Sequence, residues 1–132
     1  MLIKNSPDGV HSSRVVLIIE DDAPFRLFLR DILTLAGYQV LEADNGRQGL
    51  QLFQKTRPCL VLLDILMPEQ DGIETVQAIK KIDRSAVVFT MTSGEWGENN
   101  SMAAQLLGAK RSFFKPFSAD QLFEAIQEEL SE

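Results

Sequence analysis

The chain has 132 residues, of which 45% are hydrophobic and 24% charged, and a formal net charge of −6 at pH 7, which together predict one globular domain. The negative charge, with no basic stripe set against it, argues against direct binding of nucleic acid. No apolar run is long enough to span a membrane, and the single cysteine, Cys59, excludes an internal disulfide and favours a cytoplasmic protein.

The N-terminal segment is rich in turn-forming residues, and we interpret residues 1–13 as a flexible tail in front of a domain that spans 14–132. The only histidine, His11, lies in this tail. The sequence therefore argues against histidine catalysis and against a metal site built on histidine.

Two patterns alternate after the tail. Short apolar runs predict strands at 15–19, 38–43, 59–63, 86–91 and 112–114. Apolar residues at helical spacing follow each run and predict five helices, the fourth over 99–107. Pro24 is typical of a first helical turn and Gly37 of a helix end, and Ser118 with Gln121 predicts a capping box before the last helix.

This strict alternation predicts an α/β fold, in which five parallel strands form a doubly wound sheet with helices on both faces. The run at 38–43 is half polar, which is typical of an edge strand. The continuous apolar runs at 15–19, 59–63 and 86–91 favour central strands that are buried on both faces.

Polar residues follow four of the five predicted strands. All strands of a parallel sheet point the same way, so these residues are expected at one rim, where ligands of such folds bind. They are Glu20, Asp21 and Asp22 after the first strand, Asp64 after the third, Thr92 and Ser93 after the fourth, and Lys115 after the fifth.

A cluster of carboxylates without histidine or cysteine indicates a hard cation. Two carboxylates about 4 Å apart repel by about 4 kcal/mol at an effective dielectric near 20, and oxygen ligands on an open rim favour hydrated Mg²⁺. A metal site beside a lysine and a hydroxyl is equipped for phosphoryl transfer. Asp64 would then be the nucleophile and would form an aspartyl phosphate.

Each of these residues alone also has a structural interpretation. The acids at 20–22 could favour a helix N-terminus, and Asp64 could hydrogen-bond a turn. Thr92 and Ser93 could form a helix cap, and Lys115 could be a surface lysine. The functional hypothesis depends on their occurring together at four strand ends.

Four segments resemble the motifs of response-regulator receiver domains. "IIEDD" resembles the acidic pair after the first strand, "DILMPEQDG" the phosphoacceptor motif, "MTS" the Thr or Ser followed by a small residue, and "KPF" the Lys-Pro-Phe after the fifth strand. The resemblance covers residues 14–130. It implies a flavodoxin-like three-layer fold with strand order 2-1-3-4-5. It also implies a two-component (phosphorelay) function, in which the chain accepts a phosphoryl group and signals to a downstream protein by a conformational change.

The resemblance also implies individual roles. Asp64 is similar to the phosphorylated residue, and its donor would be a phosphohistidine of a sensor histidine kinase or a histidine phosphotransfer protein. Asp21 resembles the direct Mg²⁺ ligand and Glu20 the ligand that acts through water, and Asp64 and the carbonyl of Leu66 would complete the protein's share of the metal shell. Thr92 resembles the switching hydroxyl, and Lys115 the lysine that pairs with the phosphoryl group. A cis Lys115–Pro116 bond is expected, because cis is accessible before proline and the family has it.

Three positions differ from the family pattern: Ser112, where an aromatic switch residue is usual, Leu66 and Gly94. We therefore expect weak coupling through Ser112 and an output through the loop 93–100, which contains Trp96. One alternative function is a receiver-like binding module that is not phosphorylated. A second is an aspartyl phosphohydrolase, which would need an acid where this chain has Leu66.

Overall fold

The computed structural model describes residues 12–66, 72–93 and 97–130. Strands and helices alternate along the chain. The strands are β1 (Ser12–Ile19), β2 (Gln39–Ala43), β3 (Pro58–Asp64), β4 (Val88–Thr92) and β5 (Arg111–Phe114). The helices are α1 (Ala23–Leu35), α2 (Gly46–Thr56), α3 (Gly72–Ile82), α4 (Gly97–Leu106) and α5 (Ala119–Leu130).

The five strands form one parallel sheet in the order β2-β1-β3-β4-β5. The predicted fold class and strand order are confirmed. The half-polar β2 is an edge strand, and β1, β3 and β4 occupy the centre, as their apolar runs predicted. The other edge is β5, a strand of four residues.

Each face of the sheet has its own hydrophobic core. Val16 and Ile18 face one core, and their neighbours Leu17 and Ile19 face the other, because side chains alternate along a strand. A continuous apolar run such as β1 is therefore required when both faces are covered. The first core includes Leu29 and Leu33 of α1 and Leu122 and Ile126 of α5, and the second includes Phe53 of α2 and Val76 and Ile79 of α3.

Local signals in the sequence account for several helix ends. Asp22 caps α1 by accepting a hydrogen bond from the Phe25 N–H at 3.1 Å. Gly37 follows α1 with a φ of 97°, a conformation that glycine adopts without strain. The Ser118 hydroxyl accepts from the Gln121 N–H at 3.0 Å, and the Gln121 side chain accepts from the Ser118 N–H at 2.9 Å. This reciprocal pair is the predicted capping box.

Some boundaries differ from those predicted. Strand β1 begins at Ser12, not at 15, because backbone pairing with Pro58 extends it into the last two residues of the predicted tail, Ser12 and Ser13. Strand β4 begins at Val88, not at 86, because the Ala86 N–H bonds to the Asp83 carbonyl in the turn after α3. Helix α4 begins at Gly97, two residues before the predicted start.

Residues 1–11 of the proposed tail lie outside the described part of the chain. Within the described residues, none of the helices combines the length and the apolar character needed to cross a membrane.

Candidate functional site

The carboxyl ends of the strands bring the predicted residues to one rim of the sheet. Glu20 follows β1 directly, and Lys115 follows β5. Asp64 and Thr92 are the last residues of the neighbouring strands β3 and β4.

Glu20 is a fully buried acid at this rim. Its Oε1 lies 2.7 Å from Lys115 Nζ, and its Oε2 accepts a hydrogen bond from the Asp22 N–H at 3.1 Å. Burial raises the pKa of Glu20 to about 7, and the nearby Asp64 charge adds to this increase while Lys115 opposes it. The fold therefore places an acid where its ionised form depends on neighbouring positive charge.

Asp64 is only 4% exposed although it ends a central strand. Its Oδ1 accepts a hydrogen bond from the Leu66 N–H at 3.0 Å, and its Oδ2 lies 3.5 Å from Lys115 Nζ. The Lys115 ammonium thus contacts both buried carboxylates, and it also lies 4.7 Å from the centre of the Phe25 ring. The structure places Lys115 as the positive partner of this pair.

Glu20, Asp21 and Asp64 form one acidic cluster. Each offers a carboxylate oxygen, and these atoms all lie within 4.8 Å of one another. At that separation, a pair of unit charges repels by about 3.5 kcal/mol at an effective dielectric near 20. Among the described residues, a single ammonium faces two carboxylates and a partly protonated Glu20, so the cluster retains negative charge. Oxygen donors with excess negative charge fit a hard divalent cation such as Mg²⁺.

Thr92 contributes a hydroxyl that is buried, with the residue 1% exposed. Within the described part of the chain, its Oγ1 has no hydrogen-bond partner. A buried polar atom of this kind is rare, because leaving it unsatisfied costs about 1–3 kcal/mol. Its hydroxyl is therefore available to a group that arrives at the rim.

Ser112 lies deeper along β5 and pairs with β4. Its Oγ lies 2.9 Å from the Thr90 Oγ1, and Thr90 is fully buried. The position where the sequence resemblance implies an aromatic switch residue thus carries a small hydroxyl that is hydrogen-bonded to the next strand.

The sequence predicts no role for two residues that contact the backbone of the site. Gly72 packs against the backbone beside Asp64: a Cβ at Gly72 would clash with the Ile65 Cα and lie 2.8 Å from the Asp64 carbonyl oxygen. Gly72 is the last residue of "DILMPEQDG", and its place in that motif is the signal that could have identified it. Arg26 donates to the Glu20 carbonyl oxygen at 2.7 Å, and nothing in the sequence distinguishes it from other surface arginines.

The remaining expectations have separate outcomes. Asp22 caps α1, so the structural interpretation, in which an acid at 20–22 favours a helix N-terminus, is confirmed for Asp22. The Lys115–Pro116 bond is cis, as predicted. Gly94 and Trp96 lie outside the described residues, so the output through their loop stays a prediction.

The sequence is similar to a known protein family and to individual members of it. Residues 16–127 match the family model of the response regulator receiver domain. The chain is 39% identical over 117 residues to the chemotaxis protein CheY of Bacillus subtilis, a match that covers 88% of this chain and 97% of that protein. It is 38% identical over 116 residues to the sporulation initiation phosphotransferase F of the same organism, with 87% and 92% covered.

Solved structures show the same similarity in three dimensions. A CheY-like response regulator receiver domain protein from Methanospirillum hungatei superimposes with a TM-score of 0.84 at 28% identity, covering 90% of this chain and 94% of that one. The receiver domain of NtrX from Brucella abortus gives a TM-score of 0.82 at 27% identity, covering 87% and 97%.

Proposed function

The chain belongs to the response regulator receiver domain family, and we propose that it accepts a phosphoryl group on Asp64 in a Mg²⁺-dependent reaction and signals through the resulting conformational change. The observation that carries this proposal is the position of the Asp64 carboxylate. It ends a central strand, lies 3.5 Å from the Lys115 ammonium, and belongs to a cluster of three acids within 4.8 Å.

The proposed step is a phosphoryl transfer between two side chains. A carboxylate oxygen of Asp64 forms a bond to phosphorus as the P–N bond of a phosphohistidine breaks. The electron pair of that P–N bond stays on the imidazole nitrogen, which then takes up a proton. The product is a mixed anhydride, an aspartyl phosphate, on Asp64.

The chain's own residues would hold the transferred group. Lys115 can shift from its carboxylate partners toward the oxygens of a phosphoryl group, because carboxylates and phosphoryl oxygens are both anionic. The Thr92 hydroxyl, which lacks a partner among the described residues, can donate a hydrogen bond to one of these oxygens. Leu66, two residues after Asp64, presents an apolar side chain at the rim that is 38% exposed. Because this side chain cannot orient water, we expect slow hydrolysis of the aspartyl phosphate.

The metal site is proposed from the same cluster. Glu20, Asp21, Asp64 and the carbonyl of Leu66 would hold one Mg²⁺. When bound, the ion supplies positive charge to the oxygens of the transferring group. Among the described residues of the rim, the excess of acidic over ammonium groups supports this assignment.

The donor is proposed to be a phosphohistidine of a sensor histidine kinase or of a histidine phosphotransfer protein. Similarity to a protein named as a phosphotransferase supports a donor of this class. The output is proposed to be contact with a downstream protein.

Labelling by a small phosphodonor tests the function. With acetyl phosphate and Mg²⁺, the wild-type protein should gain one phosphate that hydroxylamine removes, and a chelator should abolish the gain. Asp64→Asn should lose the label completely because an amide oxygen cannot form the anhydride. Asp22→Asn is the matched control, since asparagine also caps helices and Asp22 has no proposed role in the reaction. It should keep the label within about twofold, as expected for a substitution outside the site.

The alternatives predict different results. No labelling of a folded wild-type protein by acetyl phosphate or by a phosphorylated histidine phosphotransfer domain would favour the binding module that is not phosphorylated. Rapid turnover of phosphomonoesters would favour the phosphohydrolase. Retained label in Asp64→Asn would move the nucleophile to another residue and would contradict the proposal.

A further inference from the structure

Arg26 joins three elements beside the acidic cluster. It lies on α1, and its guanidinium donates to the Glu20 carbonyl oxygen at 2.7 Å and to Glu42 Oε1 at 3.1 Å. Glu20 follows β1, and Glu42 lies on the edge strand β2. The side chain of Arg26 is 19% exposed, so water weakens these contacts less than it would on an open surface.

These contacts converge on the turn at residues 20–22. The Glu20 N–H donates to the Ala43 carbonyl at 3.0 Å, and its carbonyl oxygen accepts from Arg26. On the other side of the turn, the Asp22 N–H donates to the Glu20 carboxylate, and the Asp22 side chain caps α1. Both neighbours of Asp21 are therefore held by hydrogen bonds.

Asp21 itself is exposed. An exposed carboxylate gains little position from packing of its own side chain, so its place in the cluster follows from the backbone on either side. We propose that Arg26 is a positioning residue for the metal site: by holding the Glu20 carbonyl, it keeps Asp21 and Glu20 where their oxygens meet those of Asp64. Glu42 keeps the guanidinium in place. This inference rests on the proposed function for the identity of the cation.

A comparison with Arg30 distinguishes this positioning role of Arg26 from a role in simply attaching α1 to the sheet. It lies one turn further along α1 and contacts the other oxygen of Glu42 at 3.4 Å, and none of its described contacts is to the turn at 20–22. If ion pairing between α1 and β2 were all that mattered, Arg26 and Arg30 would be equivalent. If the Glu20 carbonyl is what matters, only Arg26 affects the metal site.

The test is a titration of ¹⁵N-labelled protein with MgCl₂, followed by NMR. Arg26→Met should weaken Mg²⁺ binding by about tenfold, the lower end of the range for residues that orient metal ligands. Arg26→Lys should recover part of the loss, because lysine restores a donor and the charge but not the planar fork of donors. Arg30→Met is the matched control and should stay within about twofold of wild type, as usual for a surface substitution.

A second readout needs no metal. With a chelator present, the amides of Asp22 and Phe25 should exchange with solvent faster in Arg26→Met than in wild type or Arg30→Met. The Val61 amide, which donates to the Val87 carbonyl at 3.0 Å away from the rim, reports on general stability. An equal acceleration at Val61 would indicate a structural role only and would overturn the inference.

Glu42→Gln provides the test if Arg26→Met does not fold, and it should weaken Mg²⁺ binding in the same direction. Unchanged Mg²⁺ affinity in folded Arg26→Met or, failing that, in Glu42→Gln would overturn the inference while leaving labelling of Asp64, and hence the proposed function, intact. Failure of the wild-type protein to bind Mg²⁺ would overturn both.

Discussion

Lys115 is the cation that lets two buried carboxylates lie side by side in the metal-free protein. It is 2.7 Å from Glu20 and 3.5 Å from Asp64, while Glu20 is fully buried and Asp64 nearly so. Removal of one partner from a buried ion pair leaves an uncompensated charge. Loss of Lys115 would therefore leave two adjacent buried acids without a positively charged contact among the described residues.

A pH dependence of stability follows from Glu20. Its pKa is raised from 4.5 to about 7, so between these values the folded protein holds a proton that the unfolded chain has released. The free energy of unfolding of the metal-free protein should therefore decrease as the pH rises from 4.5 to 7, through this group, and then level off. In Glu20→Gln this part of the decrease should be absent. Urea unfolding at pH 5 and pH 7.5 with a chelator measures it, and an equal change in both proteins would contradict the raised pKa.

The sequence predicted which residues reach the rim but not how each is buried. Glu20 and Asp21 are adjacent acids in "IIEDD", and one is fully buried while the other is exposed. The difference arises in the turn before α1, where the Glu20 side chain points back toward Lys115. Contacts between distant residues decide such an orientation, and no local pattern records them.

At the scale of elements, β4 and β5 are joined by a pair of hydroxyls as well as by their backbones. Thr90 and Ser112 are partners in the strand register, and their hydroxyl oxygens lie 2.9 Å apart. Thr90 is fully buried, and its hydroxyl also lies 3.5 Å from the Arg111 carbonyl oxygen. The pair anchors Ser112 to the sheet, which supports the expectation that Ser112 couples the site weakly to the surface.

Ser112→Ala should lower the free energy of unfolding by about 1–3 kcal/mol, because the buried Thr90 hydroxyl then lacks its better partner. Thr90→Val should cost less, since the half-buried Ser112 hydroxyl can reach water. In the double variant, removal of both polar groups should recover most of the loss. Urea unfolding of the three variants gives the coupling energy, and strictly additive effects would contradict a stabilising hydrogen bond.

Element types were predictable because periodicity depends on local sequence, whereas some ends depended on tertiary contacts. The run at 86–91 is apolar, yet Ala86 belongs to the turn after α3 because its N–H bonds to Asp83. Ser12 belongs to β1 because its backbone pairs with β3. Neither contact is visible in the composition of the segment.

At the scale of the molecule, the parallel sheet brings residues from distant parts of the chain together in one site. Glu20 and Lys115 are far apart in sequence, and they meet because all five strands direct their carboxyl ends to one rim. Strict alternation predicted the parallel sheet. It did not determine the strand order, which came from the family resemblance and which the structure confirms.

The central claim is that Asp64 receives the phosphoryl group, and reductive trapping tests it most directly. The protein is treated with acetyl phosphate and Mg²⁺, then with borohydride, which reduces an acyl phosphate to the corresponding alcohol, and its peptides are sequenced by mass spectrometry. We predict homoserine at position 64 and unmodified acids at 20, 21 and 22. An alcohol at any of those three positions with intact Asp64 would contradict the claim.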